Sequence, residues 1–123
     1  MRVYLKAFFL FALAGAFVAA GGFLLNAEGG EKVVEVVIKG FAYRPAEITI
    51  SPGQSVRWIH KDAAPHTVTS GVGKPDGKFD SGNMTVGASF TQTFTSPGTY
   101  SYYCAIHPFM KAKVVVKGAQ GGY

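Results

Sequence analysis

The segment Tyr102-Tyr103-Cys104-Ala105-Ile106-His107-Pro108-Phe109-Met110 limits the possible folds of this 123-residue chain more than any other. It holds the one cysteine, with a histidine three positions on and a methionine three beyond that. Strand-like runs flank it, Thr99 to Tyr103 before and Ala112 to Lys117 after, so it reads as a tight loop joining two strands. Thiolate and thioether sulfur are soft metal ligands and imidazole is borderline. Such groups converge on one ion only if the backbone holds them facing each other. A loop pinned at both ends by paired strands, with Pro108 restricting its middle, meets that need. A further histidine must come from outside the loop, and His66, after Pro65, is the candidate. Taken singly, Cys104 could be an inert buried thiol and Met110 a packing residue. His66 alone would be a turn histidine. The shared spacing argues against all three bland readings.

Two runs resemble one family. GTYSYYCAIHPFMKAKVVVK is similar to the copper loop and final strand of the cupredoxins, amicyanins in particular. VRWIHKDAAPHTV is similar to the segment that carries that family's first histidine ligand. The resemblance extends from Val33 to Lys117. It implies that His66, Cys104, His107 and Met110 hold one copper ion cycling between Cu(I) and Cu(II). Two histidines and a cysteine in a trigonal set, with a weak axial methionine, make a blue-copper electron-transfer site. The function implied is a one-electron carrier rather than an enzyme. Its partners would be redox proteins such as a c-type cytochrome, a dehydrogenase or an oxidase. The family commonly has asparagine after the first histidine ligand, and here that position is Thr67. A hydroxyl can donate one hydrogen bond but cannot copy the amide's reach, so looser bracing of the Cys104 loop is expected.

Composition agrees with an all-β domain. Sixteen glycines, 17 aromatic residues and many short alternating runs favour a sandwich or barrel. Turn signals at Pro52-Gly53 and Pro97-Gly98 punctuate the chain. The expectation is a cupredoxin-like Greek-key β-sandwich of seven or eight strands over residues 28–123, expected to be monomeric. Alternation in Ser55 to His60 puts Val56, Trp58 and His60 on one side, the core side if Trp58 is buried. His60 lies near the strand end and reads as a rim histidine outside the ligand set. Residues 71–87 read as a long irregular loop, with a short strand around Lys78–Asp80 and with Met84 outside any ligand spacing.

The leader, residues 1–27, has Arg2 and Lys6 followed by an uncharged apolar run, and is expected to be helical. It reads as a signal peptide or as an N-terminal membrane anchor just long enough to span a bilayer. Gly15, Gly21 and Gly22 lower its hydrophobicity and favour cleavage. Either reading exports the domain to the periplasm or to the outer face of the cytoplasmic membrane.

Without Arg2 and Lys6 the chain has ten basic and seven acidic residues, with the cations scattered. No clustered patch or motif for nucleic acid is present. A zinc site would favour a closed set with several thiolates, and this chain has one. A copper-delivery protein is the alternative function, but such proteins present several Met or Cys ligands on flexible segments. A copper enzyme needs an open coordination position, which four protein ligands do not leave. The uncharged residues Ala63, Ala64, Pro65, Pro108 and Phe109 would form an apolar patch if both ligand segments meet at one end. The resemblance gives His107 the role of passing the electron through that patch.

Overall fold

A computed structural model describes residues 32–118. The expected leader helix lies outside the described residues. Among these there is no helix, and nine strands form two sheets. They are β1 Val33–Ile38, β2 Tyr43–Arg44, β3 Glu47–Ile50, β4 Ser55–His60, β5 Thr69–Gly71, β6 Pro75–Asp80, β7 Ser89–Thr93, β8 Gly98–Tyr103 and β9 Lys111–Val116. One sheet has the order β2-β1-β4-β7 and the other β3-β9-β8-β5-β6. Pairing is parallel for β1 with β4 and for β3 with β9, and antiparallel elsewhere.

Nine strands exceed the expected seven or eight, and the two hardest to read are short or exposed. β2 has two residues. β6 occupies much of the expected 71–87 loop and buries only Phe79. A strand at a sheet edge can be polar on nearly every residue, so its alternation leaves little trace in the sequence.

Alternation places Val36, Ile38, Val56 and Trp58 on the inner face of the first sheet, all fully buried. Ile50, Tyr102, Val114 and Val116 face them from the second, with Phe79 and Phe94 closing the layer. Trp58 sits among aromatic rings, edge-on to Tyr102 at 5.3 Å and stacked on Phe79 at 6.0 Å. Aromatic pairs of this kind add stabilisation beyond the area they bury. The Trp58–Tyr102 contact also ties the first sheet to β8, the strand that delivers Cys104. His60, expected at the rim, is instead 1 % exposed. Its N–H donates to the Ala88 carbonyl and its ring stacks on His66 at 5.0 Å. The parity of the strand was read correctly, but packing from the 85–88 turn and from His66 covers its end.

Trp58→Ala should cost about 3–5 kcal/mol. Urea denaturation of the metal-free protein would show this as a lower midpoint.

Candidate metal centre

Two segments 38 residues apart meet at one end of the sandwich. The first runs from the end of β4 through Asp62 to Thr67. The second is the loop between β8 and β9. Their backbones are joined by side chains: Thr67 N–H donates to Cys104 Sγ at 3.4 Å, and Ala105 N–H donates to Thr67 Oγ1 at 2.8 Å. The loop closes on itself as well. Cys104 N–H donates to the Met110 carbonyl at 3.1 Å, and Met110 N–H to the His107 carbonyl at 2.9 Å. An isolated bridge between His66 and Met84 anchors the first segment from its other side.

These bonds bring His66, Cys104 and His107 together, with one ligand atom from each lying within 4.8 Å of the others. The two Nδ1 atoms are 3.2 Å apart, and Cys104 Sγ is 3.8 Å from His66 Nδ1 and 3.7 Å from His107 Nδ1. A trigonal first-row ion with bonds of about 2.0 Å to nitrogen and about 2.3 Å to sulfur requires donors about 3.5–3.7 Å apart. The two sulfur–nitrogen sides match such an ion, and the nitrogen–nitrogen side at 3.2 Å needs to open by only about 0.3 Å. His66 and Cys104 are fully buried, and His107 is half-buried. Met110 is 2 % exposed at the end of the same loop.

The sulfur accepts two backbone N–H groups, from Thr67 at 3.4 Å and from His107 at 3.3 Å. Donors of this kind stabilise a thiolate, the form that binds metal. Thr67 braces the loop as an acceptor, where the sequence suggested a donor, and its hydroxyl also bonds Thr69 Oγ1 at 2.8 Å. Its carbonyl accepts from the Tyr43 hydroxyl. Burial, reinforced by Cys104 and Tyr102, pushes that phenol well above its usual range, so it remains a donor.

Two neighbours, Asp62 and Phe41, escaped the sequence reading, and a third, His60, was expected at the rim rather than against the site. Asp62 Oδ2 accepts from His66 Nε2 at 2.8 Å. Phe41 stands edge-on to His66 at 5.0 Å and to His107 at 4.9 Å, and stacks with Phe109 at 6.3 Å. His60 is neutral, its pKa lowered by burial and then by His66; its Nδ1 accepts the Asp62 N–H at 3.3 Å. In the sequence, the preceding Gly40 was the one available hint that the chain turns sharply at Phe41. Of the residues expected to form an apolar patch, Ala63, Pro65, Pro108 and Phe109 are exposed and Ala64 is half-buried, and Phe41, also exposed, stacks on Phe109 beside His107.

Comparison with known proteins agrees with this geometry. Residues 31–117 match the family model described as copper binding proteins, plastocyanin/azurin family. The chain is 36 % identical over 105 residues to amicyanin-alpha of Methylorubrum extorquens, covering 85 % of this chain and 88 % of that one. It is 35 % identical to amicyanin of Paracoccus denitrificans over 92 residues, 74 % of this chain and 70 % of that one. Among solved structures, a purple cupredoxin from Nitrosopumilus maritimus superposes with a TM-score of 0.65 at 29 % identity, covering 68 % of this chain and 99 % of that one. Amicyanin from Paracoccus versutus gives 0.60 at 32 % identity, covering 69 % and 81 %. With the donor triangle, the sandwich and these matches agreeing, the chain belongs to the plastocyanin/azurin family of copper-binding proteins, and its cofactor is a single copper ion.

Proposed function

We propose that the chain is an exported one-electron carrier in which His66, Cys104, His107 and Met110 hold the copper ion. The observation that carries this reading is the preformed Nδ1–Nδ1–Sγ triangle, of which only the His107 corner reaches the surface. Similarity to the amicyanins supports it. Copper held there supplies one-electron chemistry by alternating between Cu(I) and Cu(II), which prefer different geometries.

The protein's contribution is to keep the donors still. Cys104 is fixed by β8 and by the N–H groups of Thr67 and His107, and His66 by the bridge to Met84 and by Asp62. Met110, buried at the end of the same loop, would supply a thioether as the fourth donor. Burial of His66, Cys104 and Met110 excludes water from the centre. His107, between Phe41 and Phe109, is the exit for the electron, and the apolar rim is where a partner docks. Lys39, Arg44 and Lys61 stand together beside that rim: Arg44 Nε donates to the Lys39 carbonyl, and Lys39 Nζ to the Lys61 carbonyl. This basic edge suits an acidic redox partner, such as a c-type cytochrome, dehydrogenase or oxidase. A location in the periplasm or on the outer face of the cytoplasmic membrane rests on the basic and apolar leader. A delivery role is the weaker reading, because the donors are braced rather than mobile.

Adding Cu(II) to the purified domain should produce an intense visible thiolate-to-copper band and raise the melting temperature, since metal binding favours the folded state. Cys104→Ser should abolish the band, and a colourless wild type would end the reading. Thr67→Val removes the acceptor of the Ala105 N–H. It should lower stability by about 1 kcal/mol and shift the voltammetric midpoint. Phe109→Asp should slow electron self-exchange severalfold while leaving the absorption spectrum unchanged; equal rates would remove the patch from the route.

A further inference from the structure

We infer that Asp62 is a positioning residue of the copper centre: its carboxylate sets the tautomer and orientation of the His66 ring and biases the bound ion towards Cu(II). The inference rests on the copper reading above and adds a residue to it.

Asp62 lies in the segment after β4 and is only 9 % exposed. Its two oxygens accept three hydrogen bonds, from Gly40 N–H at 2.7 Å, Phe41 N–H at 2.8 Å and His66 Nε2 at 2.8 Å. An ionised carboxylate only accepts, so His66 must carry its proton on Nε2. The lone pair of the neutral ring is then on Nδ1, the nitrogen that faces Cys104 Sγ and His107 Nδ1. One hydrogen bond therefore selects the tautomer that can bind the metal. A carboxylate behind a ligating histidine also raises the basicity of the ring. Its negative charge attracts the ion in proportion to the ion's own charge, so the oxidised state gains more. Three donors converging on its two oxygens is the arrangement of an ionised carboxylate, since a carboxylic acid would need an acceptor for its own proton.

The same carboxylate orders the aromatic edge of the site. Gly40 and Phe41 both have left-handed backbones, with φ of +64° and +56°. That conformation is disfavoured for phenylalanine. It turns two successive N–H groups onto one acceptor, and it carries the Phe41 ring against both histidines.

The test compares copper-loaded wild type, Asp62→Asn and Asp62→Glu by voltammetry and visible absorption at neutral pH. Asp62→Asn keeps an acceptor but loses the charge. It should retain the visible band while its preference for Cu(II) over Cu(I) falls at least tenfold, a rise in midpoint of about 59 mV for a one-electron couple. Asp62→Glu, which keeps the charge, should return towards the wild-type midpoint. A coloured Asn variant with the wild-type midpoint overturns the inference, as does a Glu variant displaced as far as Asn. If the Asn variant does not fold or load, nitrogen-15 NMR of metal-free wild type decides. A slowly exchanging proton on His66 Nε2 supports the inference, and a proton on Nδ1 or free exchange at Nε2 overturns it. A wild type without the visible band would instead count against the copper-carrier reading and leave the NMR result standing.

Discussion

The metal end of this molecule depends on a seam of hydrogen bonds centred on Thr67. All of that residue's polar atoms are used. Its N–H reaches the cysteine sulfur, its hydroxyl takes the N–H of Ala105, and its carbonyl takes the phenol of Tyr43. Three parts of the chain, β2, the His66 segment and the Cys104 loop, are thereby locked to one another. The seam is largely buried, where hydrogen bonds gain strength from the low local polarity and where losing a partner costs most. Without it, two loops far apart in sequence would have no reason to keep their donor atoms within bonding range of one ion.

Around that seam the protein combines two demands that pull apart. The donors must be held against water and against motion, which favours burial, yet the proposed electron transfer needs a way out, which favours exposure. The structure divides these between the two histidines. His66 is enclosed, stacked on His60 and bonded to Asp62, and contributes rigidity. His107 is half open, flanked by Phe41 and Phe109, and contributes access. Because Asp62 also grips the Gly40–Phe41 turn, the enclosed histidine and the accessible one share a common support.

The elements legible in the sequence were those whose signals are local. Cys104 and His107, two corners of the donor triangle, declare themselves by spacing inside one loop, and His66 by its resemblance to a known ligand segment. Strand β4 showed its inward face through Val56 and Trp58. The misses come from contacts made across the fold. His60 had the right parity, but nothing in its own strand says that Ala88 and His66 cover it. Strand β6 was legible only at its end, as a short strand around Lys78–Asp80, because an edge strand with one inward residue, Phe79, has almost no alternation. Asp62 stands four residues before His66, a spacing that brings side chains together on a helix but carries no such meaning in a loop. Phe41 is remote from every ligand in sequence and reaches them only through an unusual backbone. Thr67 was noticed as a departure from the family's asparagine, yet its hydroxyl makes the bracing contact by accepting.

One feature of the topology bears on how the molecule comes into being. Strand β9 follows the Cys104–Met110 loop, and it lies inside its sheet, between β3 and β8. Its parallel partner begins at Glu47, which pairs with Lys113. The second sheet therefore has no continuous middle until the end of the domain has been synthesised, and closing it means joining residues far apart along the chain. Such non-local contacts slow folding, and partly made chains expose unpaired edges in the meantime. A truncation shortly before β9 would thus remove more than one strand: it would leave β3 stranded from β8, and a coordination sphere with no wall behind it.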